Sequence, residues 1–225
     1  MNHPKSLQPV VAARQRPASL PAALLAAAIL LVLAGPAPVA AQGMVLGFRH
    51  VGLGIGNVPR TLGVRINLSD DGLERVDGIN RTLWKPGRNP SGEVNGAAIG
   101  VVAPAAARIR GLALGGVAVV AEESLAGINV GGVAIVSNGS ATGINVGGLA
   151  VVTDGELAGA NLGGLAVVAD GNMMGVNLGG LATVAEGNMT GLNLGGLASV
   201  ADGNMRGLSL GGLAVVANGG LRGIN

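Results

Sequence analysis

GLNLGGLASVADGNMR, residues 191–206, is the stretch of the chain that decides the fold. The same 16-residue unit recurs without insertion from residue 111 to residue 225, and a weaker copy, NGAAIGVVAPAAARIR, precedes it at residues 95–110. A register held this long indicates a repeat architecture in which like units stack on one another. The units begin at Gly111, Gly127, Gly143, Gly159, Gly175, Gly191, Gly207 and Gly223.

The composition of the 225-residue chain suits a packed but thin core. Hydrophobic residues make up 49% of the chain, which argues against disorder, yet the chain has 42 glycines and only one Trp, one Phe and no Tyr. The absence of cysteine excludes disulfide scaffolds, thiolate metal sites and cysteine nucleophiles.

The repeat unit predicts two short strands rather than a helix. Counting places from the first Gly of each unit, a Gly pair at places 5–6 interrupts every unit, and each interior Gly disfavours a helix by about 1 kcal/mol. Strands at places 1–4 and 7–11, with a bend at Gly-Gly and a turn at Asp-Gly-Asn or its equivalent, form one flattened coil. Stacking such coils at the strand spacing of about 4.8 Å gives an all-β, parallel β-solenoid of 16-residue coils.

The variation among units suggests which side chains face the core. Places 4, 8 and 10 are always Leu or Val, Ala, and Val, so we expect them to point inward, and the variable places 9 and 16 to point outward. The Gly pairs are expected where φ is positive or where the two sheets approach closely. Stacking also predicts a ladder of side-chain amides. Its members are Asn129, Asn145, Asn161, Asn177 and Asn193.

An alternative interpretation uses the same residues as hairpins. Asp-Gly at residues 154–155 and Asn-Gly at residues 138–139 are strong hairpin signals, and they allow an antiparallel meander, such as an outer-membrane β-barrel or pore. Barrels of that kind carry aromatic girdles and longer loops at one end. The repeat has neither, which favours the solenoid without removing the alternative.

The first 94 residues divide into two predicted regions. Residues 1–41 read as a signal peptide with an apolar stretch at residues 20–33 and cleavage before Gln42, so we expect export to the periplasm, outer membrane or cell surface. Residues 42–94 are expected to form a small N-terminal β cap of short strands, with a hairpin turn at Asp77-Gly78 and Trp84 as a packing anchor. Residues 95–225 form the solenoid.

The charges argue against nucleic acid as a partner. Without residues 1–41 the formal net charge falls from +2 to −1, divided into +4 for residues 42–110 and −5 for residues 111–225. The basic part lacks the aromatic platforms on which single strands stack. At the C-terminal end we expect an open strand edge, through which the protein self-associates or docks to envelope components.

The sequence offers little for catalysis or cofactor binding. His50 is the single histidine after residue 41, and GLGIGN at residues 52–57 lacks the spacing and the following helix of a phosphate loop. We therefore predict no enzyme, no cofactor and no identifiable small-molecule substrate. Place 12 could form a calcium ladder, although turn stabilisation is the simpler interpretation. The ladder would comprise Asp154, Asp170, Glu186 and Asp202.

The reiterated G-x-N-[LV]-G-G-[LV]-A-x-V core, preceded by INLSDDGLERVDGINRTLWKP at residues 66–86, supports one family comparison. The chain resembles uncharacterised glycine-rich surface-repeat proteins exported by Gram-negative and related bacteria. That resemblance implies an exported or surface-associated protein and supplies no catalytic residues. The expected function is therefore a non-enzymatic structural or interaction protein of the bacterial envelope or surface, acting as a rigid repeat scaffold.

Overall fold

The computed structural model describes residues 43–85 and 90–225, and nineteen β-strands form within them. The signal peptide predicted for residues 1–41 lies outside the described residues. The N-terminal strands are β1 (Met44–Phe48), β2 (Val51–Ile55), β3 (Arg60–Asn67), β4 (Arg75–Thr82), β5 (Glu93–Gly100), β6 (Ala105–Gly115) and β7 (Ala118–Gly131). The remaining strands are β8 (Ala134–Ser137), β9 (Ser140–Gly147), β10 (Ala150–Thr153), β11 (Leu157–Gly163), β12 (Ala166–Ala169), β13 (Met173–Gly179), β14 (Ala182–Ala185), β15 (Met189–Gly195), β16 (Ala198–Ala201), β17 (Met205–Gly211), β18 (Ala214–Ala217) and β19 (Leu221–Ile224).

Each 16-residue unit forms one coil with two strands, and neighbouring coils run parallel. In the longer strands Asn161 lies beside both Asn145 and Asn177, so each place stacks on the same place of the next coil. The four-residue strands form a second parallel stack in the same register. The chain is therefore a parallel β-solenoid, as the repeat predicts, and the antiparallel meander does not form.

Parallel stacking begins before the regular repeat. Strand β2 pairs in parallel with β3, β3 with β4 and β4 with β5, and the stacked glycines Gly63, Gly78, Gly96 and Gly111 give coils of 15, 18 and 15 residues. Antiparallel pairing occurs between β1 and β2. The hairpin predicted at Asp77-Gly78 is wrong, because β4 runs straight through both residues and pairs with a parallel strand on each side.

The core lies between the two strand stacks and is filled from places 3, 9, 11 and 15. Place 15 supplies the largest side chains, such as Leu157 and Met173, and place 9 supplies residues such as Val151, all fully buried. Place 3 contributes the predicted asparagine ladder. Each amide donates from Nδ2 to Oδ1 of the next coil over 2.7–2.8 Å, from Asn129 to Asn193.

The expected directions of places 4, 8, 9 and 10 are wrong. The side chain at place 9 is buried both where it is Ile135 and where it is Ser199. Leu162 at place 4, in contrast, is 45% exposed. Places 8 and 10 lie on the outer surface of the short strands, because alternation places 9 and 11 inside. Place 9 also varies in size: Ile135 accompanies Ala141 at place 15, whereas Ser199 accompanies Met205.

The Gly pairs lie where the backbone approaches itself. A Cβ at Gly163 would be 2.0 Å from the carbonyl oxygen of Ala166, and a Cβ at Gly164 would be 2.1 Å from that of Gly148. The close approach is across the bend of one coil and between stacked coils, and the Gly pairs have no positive φ. Positive φ instead occurs at the first Gly of each unit, for example +114° at Gly159.

The irregular N-terminal coils replace part of the apolar core with a buried ion pair. Arg65 and Asp70 are both 0% exposed, and Arg65 donates from Nη1 to Asp70 Oδ1 at 3.0 Å. Burial lowers the pKa of Arg65, and the neighbouring carboxylate opposes that shift. The side chains that also donate to Asp70 are Asn67, Asn80 and Thr82, joined by the backbone amide of Ala105.

Candidate interaction surface

Two rows of Leu and Val point outward along the whole repeat. In the place-4 row, Val130, Leu162 and Leu210 expose 37–45% of their surface, and in the place-7 row Leu165 and Leu197 expose 45–46%. Both rows keep Leu or Val in every complete unit. Their constancy is not explained by packing in the core, since their side chains lie on the opposite side of the strands from it.

A third apolar row, at place 2, lies beside the place-4 row on the long strands. Ile128 and Ile144 are 49% and 47% exposed. The parallel register continues both rows through the N-terminal coils to Val64 and Ile66 in β3, and from there to Leu53 and Ile55 in β2. From β3 to β17 every member of these two rows is apolar except Arg81. We call this continuous surface, formed by places 2 and 4 from β3 to β17, the long-strand face.

A shallow groove follows the bend of the coils next to the long-strand face. Its wall is the place-4 row and its floor is formed by the Gly pairs at places 5 and 6, from Leu162 to Gly212. Because a Cβ at either glycine would meet backbone, the floor is fixed by the close packing of the coils. The groove therefore follows from the fold, and the place-7 row stands on its far side.

The opposite corner of the coil is polar. At place 14, Asn188 donates from Nδ2 to Asn172 Oδ1 at 3.0 Å, and Asn204 donates in the same way to Asn188 at 3.1 Å. These exposed asparagines form a second amide ladder, which the sequence analysis missed. We call this corner, formed by places 12–14 of each coil, the polar corner.

The residues of the predicted calcium ladder lie on this polar corner. Asp154, Asp170, Glu186 and Asp202 are exposed and occupy the same place of successive coils. Asp202 accepts a hydrogen bond from Asn218 Nδ2 at 3.0 Å. Among residues 43–85 and 90–225, no group of three or more His, Asp and Glu side chains is placed to hold a metal ion.

The remaining sequence candidates, His50 and the GLGIGN segment, are adjacent to each other at the start of β2. His50 is exposed in the turn between β1 and β2, and residues 52–55 of the GLGIGN segment lie within β2. Self-association through the C-terminal edge stays a prediction. Strand β19 pairs with β17, and Ile224 is 71% exposed.

Exposed ion pairs lie both within and between the N-terminal coils. Arg75 donates from Nε to Asp77 Oδ2 at 2.7 Å, and Asn95 donates to Asp77 Oδ1 at 3.0 Å. These hydrogen bonds, the one from Arg75 first, lower the pKa of Asp77. Arg108 binds Glu93 and Glu123, and its hydrogen bonds to them raise its pKa.

The outward apolar rows are the main surface feature that sequence reasoning missed. The available signal was that places 4 and 7 never accept a polar residue, whereas place 9 accepts Thr and Ser. We interpreted that constancy as a sign of the core, although constancy alone does not distinguish a core position from an exposed binding position.

Comparison with known proteins found no matching family model, no matching curated protein and no matching solved structure. Within the part of the chain that the structure describes, no helix is long and apolar enough to cross a membrane.

Proposed function

We propose that this protein is a non-enzymatic, exported structural protein of the bacterial envelope or surface, a rigid repeat scaffold that docks to other envelope components. The observation that carries the proposal is the repetition of outward Leu and Val at places 4 and 7, which the core does not require. Exposed apolar surfaces of this extent mark interaction sites. A regular stack of coils holds such a surface rigid over its whole length.

The bacterial and exported parts of the proposal rest on the sequence. The resemblance to glycine-rich surface-repeat proteins supports a bacterial envelope, and the leader expected at residues 1–41 supports export. The missing cysteines suit either a reducing or an oxidising compartment, so they favour neither.

Fractionation of cells that produce the complete 225-residue chain tests this function. We expect the protein in the envelope fraction, with an N-terminus at Gln42 and a β-rich far-ultraviolet circular dichroism spectrum. Ala41→Lys serves as the control, because cleavage requires a small residue at that position, and this variant should keep its leader. Cytosolic protein that still begins at Met1 would contradict the proposal.

A further inference from the structure

We propose that the long-strand face binds a second copy of this chain, face to face, with the two solenoid axes antiparallel. The inference deepens the proposed scaffold role and rests on it. The partner of the long-strand face is then a second copy of the chain, and the scaffold unit is a pair of solenoids instead of a single solenoid.

The size of the long-strand face fits a stable dimer. The side chains of places 2 and 4 cover places 1–5 of each long strand, a width of five residues. At about 3.3 Å per residue and 4.8 Å per strand, ten strands give a projected area of about 800 Å². A stable protein–protein interface needs about 800 Å² on each partner. The face reaches this area with side chains that are apolar at places 2 and 4 except at Arg81.

The shape of the face suits a copy of itself. The outward side chains of places 2 and 4 form straight rows, and each coil repeats them at the strand spacing of about 4.8 Å. A second face with the same spacing can insert its Leu and Val side chains between those of the first. A two-fold axis along the strand direction lays each row on the same row of the other copy.

The charge distribution selects the antiparallel orientation. The two ends of the stack carry opposite formal net charge, +4 for residues 42–110 and −5 for residues 111–225. Reversing one copy brings acidic coils beside basic coils of the other. Parallel copies would instead bring like charges together, which disfavours that arrangement.

Sedimentation velocity of the protein purified from cells expressing the complete chain tests the pairing. We expect a species of twice the monomer mass measured by denaturing mass spectrometry. Leu162→Glu should weaken the dimer at least about tenfold, because it buries an unpaired charge at the interface. Leu165→Glu is the matched control: both leucines are 45% exposed, but Leu165 lies in the place-7 row, outside the face. Circular dichroism checks that both variants fold.

Crosslinking tests the orientation, since the chain contains no cysteine of its own. Thr142 and Thr190 are both exposed at place 16, at the edge of the face. In the antiparallel pair the two copies of Thr142 lie about 5 Å apart along the axis and those of Thr190 about 34 Å apart. A short bis-maleimide should therefore crosslink the Thr142→Cys variant to itself and leave Thr190→Cys uncrosslinked.

Each other outcome overturns the proposal. Parallel copies would have their place-16 rows at opposite edges of the interface, so a failure to crosslink Thr142→Cys would contradict the antiparallel pair. Equal weakening by Leu162→Glu and Leu165→Glu would locate the contact elsewhere. A monomer that binds phosphatidylcholine vesicles would make the face a lipid-binding surface. A monomer found in the envelope fraction would overturn the pairing alone, whereas a dimer found in the cytosol with its leader intact would overturn the exported scaffold alone.

Discussion

The first glycine of each unit is the residue on which close stacking of the coils depends. At Gly159 φ is +114°, and a Cβ would lie 2.0 Å from the carbonyl oxygen of Gly143 in the preceding coil. An L side chain there meets both backbone strain and a direct clash with backbone. The same position is glycine in every unit, so the row forms a seam of glycine on glycine through the repeat.

Alanine substitution separates the cost of backbone strain from the cost of the clash with the preceding coil. Gly159→Ala should lower the free energy of unfolding by at least about 3 kcal/mol, because strain and the clash act together. Gly72→Ala is the control, since Gly72 also has a positive φ of +71° but nothing lies within 4 Å of its Cβ. It should cost about 1 kcal/mol. Urea unfolding followed by circular dichroism measures both, and equal losses would show that the clash contributes nothing.

Among the elements, the long strands are joined by side chains as well as by backbone. Asn161 in β11 accepts from Asn145 in β9 and donates to Asn177 in β13, both over 2.7 Å, and all three are buried. A buried amide without a partner is costly, so each asparagine favours strands that stay in register. In the N-terminal coils Ala98 and Ala113 occupy the same place, so the backbone there also accommodates a smaller side chain.

Removing one amide from the buried ladder should be more costly than removing one from the exposed ladder. Asn161→Ala leaves the Asn145 donor and the Asn177 acceptor unpaired away from water, and we expect a loss of about 2–4 kcal/mol. Asn188→Ala removes similar bonds at the surface, where water replaces them, and should cost less than about 1 kcal/mol. Thermal and urea unfolding compare the two. A similar loss in both variants would contradict a special role for the buried ladder.

At the scale of the whole molecule, the fold is a one-dimensional stack in which each coil touches its two neighbours. Stability is then approximately the sum of coil and interface contributions. Residues 111–225 hold a strict 16-residue register, while the coils before them differ in length. The regular part can therefore lose or gain whole coils without changing any remaining contact type.

Deletion variants test this property. Removing residues 159–174 takes out one whole coil and joins place 16 to place 1, so the protein should keep its β-rich spectrum and melt only a few degrees lower. Removing residues 159–166 joins place 16 to place 9 and shifts inward side chains out of register, so we expect loss of cooperative melting. Equal behaviour of the two deletions would contradict stacking by place.

The sequence predicts the coil length, the parallel stacking and the asparagine ladder because all three follow from a strict period. The predictions that failed are those that the 16-residue period does not determine. At Asp77-Gly78 the local hairpin signal was overridden by parallel partners on both sides. Whether the side chains at places 4 and 9 face the core depends on the phase of the inward–outward alternation along each strand. Repetition of the sequence alone does not give that phase.

The candidate surface was less predictable than the fold. Place 16 was expected to point outward, and Thr142 and Thr190 do so. The outward Leu rows were missed because apolar residues are ordinarily assigned to the interior. Three-dimensional stacking also brings Arg65 beside Asn80 and Asp70, a buried contact for which the sequence shows no spacing signal.

The buried amide ladder has an electrical consequence. Each asparagine of the buried ladder donates toward the next, more C-terminal coil, and each one after Asn129 accepts from the coil before it, so their dipoles add instead of cancelling. The ladder starts with an unpartnered oxygen on Asn129, where Ala113 precedes it, and ends on the hydroxyl of Ser209. The positive end of this internal dipole therefore points toward the C-terminal end of the stack, so the two ends of the solenoid differ electrostatically along its axis.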